Sequence, residues 1–300
     1  MSEKVFISYS HQEGEWVTDR LEPVLTASGV EVLIDTKRFR AGYAVIGEMD
    51  ATQEAADRSV LVLSPAYLKS DYCCHEMKRA IARDPKLQAG RTLTVVRGDV
   101  AVPDELAKSL YIDLIDDGNP KPWGLLLDGC QGDLGTAAPA WLEARDQVRR
   151  FLERGDSVNF LITGNPAWRK LLDHLRDTVV PDLRDVDLDA GRTAHRRALV
   201  ETILEVIGSP QAVADGDDLV VLDRSLSSRS RTWLAFLHFD QAAYLEKPRV
   251  KFFAALRDLI MTQKKLVALF HSRRPFADLL PRDHPLSHVD VKTVKLSGHP

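Results

Sequence analysis

The chain has 300 residues, of which 44% are hydrophobic and 28% charged, and its formal net charge is -4 at pH 7. This composition is ordinary for a folded globular protein, and the charge gives no sign of a nucleic-acid-binding or anionic-membrane-binding surface. At roughly 100–200 residues per domain, the length predicts two domains.

The cysteine content and the first residues indicate the compartment. Cys73, Cys74 and Cys130 are too few and too unevenly placed for a disulfide framework, and none has metal-ligand spacing. The opening MSEKVFISYS lacks the basic and apolar regions of a signal peptide. No apolar run approaches the ~20 residues of a membrane helix. We therefore expect a cytoplasmic protein with no membrane segment and no metal site.

The first 130 residues alternate apolar strand patterns with helical patterns, and Gly29 ends the first predicted helix. This alternation predicts parallel strands joined by right-handed crossovers. Because the strands are continuously apolar, we expect helices on both faces of the sheet. The five predicted strands are Val5–Ser8, Val30–Ile34, Ser59–Leu63, Thr92–Val96 and Tyr111–Ile115.

A small, turn-rich stretch at residues 131–139 (QGDLGTAAP) separates the two halves. We predict one domain at residues 1–133 and a second at residues 140–300. The second half alternates again, which predicts another α/β domain with a mostly parallel sheet. Its predicted helices are Ala140–Arg154, Trp168–Arg176, Arg192–Ile207 and Val250–Ile260. Its predicted strands are Val158–Thr163, Leu219–Leu222, Trp233–Phe239, Leu266–Phe270 and Val289–Leu296.

Candidate functional residues follow the carboxyl ends of the first strands, which is where open parallel sheets bind ligands. Ser8-Tyr9-Ser10 follow the first strand, and residues 35–42 follow the second. In the helix after the third strand, Tyr72 and Glu76 are four residues apart and share one face. This spacing predicts an aromatic ring and a carboxylate facing the same crevice.

Several of these segments, in order, resemble the sequence boxes of TIR (Toll/interleukin-1 receptor) domains. FISYS on the first strand resembles the opening box, and residues 35–42, which end in Phe39-Arg40-Ala41-Gly42, resemble the second loop. Residues 59–67 resemble the third strand with its exit, and Ser70 to Glu76 is similar to the family pattern S-x-W-C-x-x-E. Tyr72 replaces the usual tryptophan, and Thr94 stands where many members have proline. The resemblance implies a flavodoxin-like fold with a parallel five-stranded sheet.

TIR domains occur as signalling adaptors and as enzymes that cleave NAD. In those enzymes the glutamate matching Glu76 is catalytic, and the aromatic residue matching Tyr72 lies on the nicotinamide side. The resemblance thus implies that NAD is the substrate, that no cofactor or metal is needed, and that Glu76 is catalytic. The implied substrate contacts are Ser8, Tyr9, Ser10, Phe39, Arg40, Gly42 and Tyr72.

The chemistry suits a single carboxylate. Nicotinamide leaves as a neutral group from a cationic ring, so no general acid is required, and the transition state resembles an oxocarbenium ion. A carboxylate beside the ribose stabilises that developing charge, as carboxylates do in glycosidases. Hydrolysis to ADP-ribose, cyclisation to a cyclic ADP-ribose and base exchange differ in what attacks the same cation, so the sequence leaves them open.

The second half contains a segment placed like a P-loop, between a strand and a helix. Gly164 and Lys170 match G-x-x-x-x-G-K-[ST], whereas Arg169 replaces the second glycine and Leu171 replaces the hydroxyl that holds magnesium. Residues 234–240 resemble a Walker B strand, and residues 266–272 resemble the neighbouring sensor strand. Together these segments resemble a degenerate P-loop ATPase core of the signal-transducing STAND type, which implies weak or absent ATP hydrolysis. The alternative is an unrelated α/β domain.

The two resemblances imply an N-terminal effector joined to a regulatory or assembly domain. This layout resembles that of prokaryotic immune proteins, in which a trigger assembles TIR domains and NAD is depleted. We expect self-association through the TIR domain and an unidentified trigger or partner at the second domain. A non-enzymatic module acting through TIR–TIR contacts is the main alternative. A nucleotide-binding protein centred on the second domain is a third alternative, which Arg169 and Leu171 disfavour.

Overall fold

The computed structural model describes residues 2–34, 52–163, 167–189, 195–211, 213–214, 216–244 and 250–297. The chain divides into two compact units, residues 1–142 and 143–300. The division falls inside a helix, Ala138–Arg154, that follows the predicted linker. The linker itself contributes the buried side chains Leu134 and Ala138, so it is packed structure rather than a free connection.

The first unit contains a five-stranded parallel sheet in the order β2-β1-β3-β4-β5. All five predicted strands are present, and the α/β fold with a parallel five-stranded sheet is confirmed. The central strands β1 and β3 bury almost every side chain, because helices cover both faces. The strands are β1 (Lys4–Tyr9), β2 (Glu31–Ile34), β3 (Arg58–Leu63), β4 (Thr92–Val96) and β5 (Tyr111–Asp113).

Two helices of the first unit begin at capping serines. Ser64 and Ser70 accept hydrogen bonds from Tyr67 N and Cys73 N, and Pro65 occupies the first turn that Ser64 caps. Gly29 adopts φ 84, a left-handed conformation suited to a chain leaving a helix. The helices are α1 (Gly14–Trp16), α2 (Glu22–Ala27), α3 (Pro65–Lys69), α4 (Asp71–Arg83) and α5 (Pro120–Gly129), and a π-helical turn, Val17–Leu21, joins α1 to α2.

The second unit contains another five-stranded parallel sheet, in the order β10-β6-β9-β8-β7. The expected α/β architecture is therefore confirmed here as well. Strand β9 lies between β6 and β8, so the sensor-like strand is the neighbour of the Walker B-like strand, as the sequence predicted. The strands are β6 (Ser157–Thr163), β7 (Leu183–Asp187), β8 (Thr232–Leu237), β9 (Leu266–Ser272) and β10 (Val291–Ser297).

One prediction for the second unit is corrected, and one strand of this unit was not predicted. Residues 219–222 are not a strand but part of a helix, Asp218–Ser227, in which Leu222 and Leu226 are buried one turn apart. Strand β7 was not predicted, because its pattern LRDVD buries only Leu183 and Val186 fully. The helices from the unit boundary onward are α6 (Ala138–Arg154), α7 (Trp168–Thr178), α8 (Arg196–Val206), α9 (Asp218–Ser227), α10 (Val250–Met261) and α11 (Phe276–Leu279).

No helix in the described part of the chain is long and apolar enough to cross a membrane.

Candidate functional site

The strand order marks the carboxyl ends of β1 and β3 as the edge where a parallel sheet of this kind is expected to form a ligand crevice. The chain passes from β1 outward to β2 and then crosses back to β3, so the two central strands form the switch point of the sheet. Ser8, Tyr9 and Ser10 lie at the carboxyl end of β1, as predicted. Ser8 and Ser10 are buried, and Ser10 caps the following turn by accepting a hydrogen bond from Gln12 N at 3.4 Å. Ser10 therefore has a structural role in shaping the edge of the crevice.

Helix α4 brings Glu76 to this edge. Its inward side chains are Cys73, Glu76, Met77 and Ala80, which follow the 3.6-residue period of a helix packed on a sheet. Glu76 is 5% exposed, although its three neighbours on that face are apolar or weakly polar. A carboxylate buried in this way requires hydrogen-bond donors.

Ser8 supplies such a donor. Its Oγ donates to Glu76 Oε2 at 2.5 Å, and the same Oγ lies 2.7 Å from the hydroxyl oxygen of Tyr67. The three side chains come from β1, α3 and α4, and all are buried. The structure thus joins two residues that the sequence singled out, Ser8 and Glu76, and adds Tyr67 to them.

Two side chains beside Glu76 have a pKa above their usual value. Burial raises the pKa of Tyr67 well above its usual value, and the charge of Glu76 raises it further. Burial likewise raises the pKa of the Cys73 thiol, with Glu76 again adding to the effect. Cys73 Sγ donates to the carbonyl oxygen of Tyr9 at 3.6 Å. Tyr67 and Cys73 therefore remain neutral donors beside the carboxylate.

The main chain of Glu76 is also held in place, by a residue whose role the sequence reasoning missed. Gln53 is 1% exposed, and its Nε2 donates to the carbonyl oxygen of Glu76 at 3.0 Å. Arg83 in turn donates to the carbonyl oxygens of Gln53 and Ala56, the latter at 2.7 Å. In the sequence, Gln53 continues the helical spacing of Ile46 and Met49, so a polar residue stands where that spacing predicts an inward side chain.

The remaining predicted site residues fall into two groups. Tyr72 lies one turn before Glu76 but is partly buried against the apolar cluster that contains Tyr67, Met77 and Leu106, whereas the Glu76 carboxylate is directed toward β1. Phe39, Arg40 and Gly42 lie outside the described residues.

In the P-loop-like segment of the second unit, an apolar side chain stands at the position of the magnesium-binding hydroxyl. Residues 164–166 lie outside the described part of the chain. In α7, Leu171 is 0% exposed, so the position of the magnesium-binding hydroxyl is occupied by a core side chain. The guanidinium of Arg169 lies over the Trp168 ring, 4.5 Å from its centroid. Among the described residues, no group of three or more His, Cys, Asp or Glu side chains is arranged to hold a metal ion.

Comparisons with known proteins agree with this description of the first unit. The family described as TIR domain matches residues 5–127. Human Toll-like receptor 1 is 31% identical over 72 residues, which make up 24% of this chain and 9% of the receptor. The chain thus spans less than a tenth of the length of that relative.

Two solved structures give low overall scores. The TIR domain of the Toll-related receptor TRR-2 from Hydra magnipapillata has 21% identity and a TM-score of 0.38, and the match covers 43% of this chain and 98% of that one. A Walker-type ATPase of Pyrococcus abyssi has 14% identity and a TM-score of 0.36, with 52% of this chain and 53% of that one covered. On the family match and the fold of its first unit, this chain carries a TIR domain at residues 5–127.

Proposed function

We propose that the TIR domain cleaves NAD between nicotinamide and ribose, with Glu76 as the catalytic residue. The observation that carries this proposal is the buried Glu76 carboxylate, bound by Ser8 at the carboxyl end of β1. A fixed carboxylate at a ligand-binding edge is the group that an oxocarbenium-like transition state requires. The released nicotinamide is neutral, so neither a metal nor a general acid takes part.

The environment of Glu76 supports a charge-stabilising role. Hydrogen-bond donors that are already oriented need no reorganisation during the reaction, and a site with little water strengthens the interaction between carboxylate and cation. Ser8 orients one carboxylate oxygen, while Gln53 holds the main chain of the same residue. Water as the attacking group gives ADP-ribose, and an internal attack gives a cyclic product.

The direct test is product analysis after the purified chain is incubated with NAD. Glu76→Gln keeps the shape of the side chain and removes its charge, so the cleavage rate should fall at least ~100-fold. The matched control is Glu105→Gln, which changes an exposed glutamate of the same unit and should leave the rate unchanged. Cleavage at the wild-type rate in the Glu76→Gln protein would refute the assignment.

A second candidate function is a non-enzymatic module that acts through contacts between TIR domains. Four large apolar side chains are exposed at one end of the sheet: Leu110, Tyr111, Ile115 and Leu125. They lie on or beside the edge strand β5 and on α5, which packs against it. An apolar surface at a sheet edge suits a second copy of this chain. We propose that such contacts assemble the TIR domains, in a cytoplasmic defence response whose trigger acts through residues 143–300.

A further inference from the structure

Tyr67, Ser8 and Glu76 form a continuous chain of hydrogen bonds whose direction can be worked out. An ionised carboxylate only accepts hydrogen bonds, so the single hydroxyl proton of Ser8 goes to Glu76 Oε2. Ser8 Oγ then has only lone pairs left for Tyr67, 2.7 Å away. Tyr67 must therefore donate, and the order is Tyr67 O–H to Ser8 O–H to Glu76.

The phenol of Tyr67 is suited to remain the donor. Its side chain is 0% exposed within an apolar cluster, and burial raises its pKa well above the usual value. The residue also lies in the first turn of α3, where its N–H is fixed by the Ser64 cap at 3.2 Å. We call this chain of hydrogen bonds from Tyr67 through Ser8 to Glu76 the relay. Its Tyr67 end is thus rigid and stays protonated over the working pH range.

A relay of this kind acts on the carboxylate at a distance. Hydrogen bonds in a chain polarise one another, and those that end on a charged group are stronger than neutral ones. When Tyr67 donates to Ser8, the Ser8 hydroxyl becomes a better donor to Glu76 and its rotation is fixed. The carboxylate then has one orientation, and a stronger hydrogen bond donated to a carboxylate in general favours its charged form.

We propose that Tyr67 is a positioning residue that acts on Glu76 through Ser8, holding the carboxylate in one orientation toward the substrate. This inference rests on the proposed role of Glu76 in NAD cleavage. Tyr67 itself contacts neither the substrate nor the reacting atoms, since Ser8 stands between it and the carboxylate.

The first experiment compares Tyr67→Phe with the control Ser28→Ala, which removes another buried hydroxyl of the same unit, one that donates to the carbonyl oxygen of Val24 at 2.7 Å. The relay predicts that kcat falls about tenfold in Tyr67→Phe while KM is unchanged, the upper end of what the loss of one neutral hydrogen bond causes. The acid limb of the kcat/KM profile should move to higher pH.

In a Ser8→Ala background, Tyr67→Phe should have no further effect on kcat. An unchanged acid limb, or an equal kcat loss with and without Ser8, would overturn the relay.

A second experiment does not depend on activity. A double-mutant cycle of Tyr67→Phe and Glu76→Gln is measured by urea unfolding, and the quantity compared is the shift in the unfolding midpoint. The relay predicts a smaller shift from Tyr67→Phe in the Glu76→Gln background, because the charge that strengthens the chain is gone. Equal shifts in both backgrounds would overturn it. If the wild-type chain cleaves no NAD, the proposed function fails, and the cycle still decides whether the relay exists.

Discussion

Buried hydroxyl groups in this chain differ in whether they find a partner. Ser8 and Tyr67 are bound within the relay, and Thr92 Oγ1 donates to the carbonyl oxygen of Ala80 at 3.2 Å. By contrast, Thr94 is 1% exposed on the same strand, and its Oγ1 has no hydrogen-bond partner among the described residues. An unpaired buried hydroxyl costs free energy that an apolar group of the same shape avoids.

We expect Thr94→Val to raise the free energy of unfolding by about 1 kcal/mol, since it removes the unpaired hydroxyl and keeps the shape. Thr92→Val is the matched control on β4, and it should lower the same quantity because it leaves the Ala80 carbonyl without its bond. Urea unfolding of the two variants measures both changes. A loss of stability in Thr94→Val would show that the hydroxyl has a partner.

At the scale of elements, the edge strand β5 differs most from its neighbours. It is three residues long, and its flanks expose Leu110 and Ile115, which are 74% and 53% exposed. Natural sheets usually protect their edges with charge or cover. An edge that stays apolar fits a surface that binds another copy of the chain, and catalysis in one copy would then depend on assembly.

Leu110→Arg should therefore weaken self-association and abolish any rise of specific activity with protein concentration, because a charge is costly to bury in an apolar contact. The measurements are light scattering and NAD cleavage across a hundredfold dilution. Val220→Arg, at an exposed apolar position of α9 in the other unit, is the control and should behave as wild type. If wild type and Leu110→Arg have the same mass and the same specific activity at every dilution, the β5 edge is not the self-association surface.

At the scale of the whole molecule, the two units should respond differently to acid. In the second unit, burial together with the nearby His238 and arginines lowers the pKa of His271 to about 3, and burial together with nearby arginines lowers that of His174 to about 4. Burial also lowers the pKa of His284. His271 stacks on Trp168 at 3.8 Å and accepts a hydrogen bond from His238 N. These imidazoles are neutral in the folded unit.

The direction of the pH dependence of stability follows from proton uptake. The unfolded chain takes up protons on these histidines below their ordinary pKa of about 6.5, whereas the folded unit does not, so stability is present above pH 6.5 and is lost as the pH falls toward 4. The contribution of His271 to the free energy of unfolding then falls by at most about 1.4 kcal/mol per pH unit. Calorimetry between pH 7.5 and 4.5 should show the unfolding transition of the second unit moving to lower temperature. His271→Asn removes one titrating group, so the unfolding temperature should depend less on pH. An unchanged pH dependence would contradict the lowered pKa of His271.

Local sequence patterns determined most of the architecture. Apolar runs such as Val5–Ser8 and Ser59–Leu63 predicted the first sheet, because strands covered on both faces cannot be polar. The four-residue spacing of Tyr72 and Glu76 predicted a helix, which is present, but its inward face carries Glu76 and not Tyr72, which packs against the cluster around Tyr67. The pattern failed where burial was weak, as in β7, and where four apolar residues in a row fit either a strand or a helix, as at residues 219–222.

Within the candidate site, the sequence determined which residue types stand at the carboxyl end of β1 and on α4. Only the tertiary structure decided which atoms meet. Ser8 and Glu76 are 68 positions apart, and Tyr67 and Gln53 reach the site from two further segments, so no local pattern relates them. Their pairing follows from parallel strand order and helix packing, which bring carboxyl ends together at one edge. The physical reason is that burying a carboxylate requires donors, and only the folded chain determines which donors are within reach.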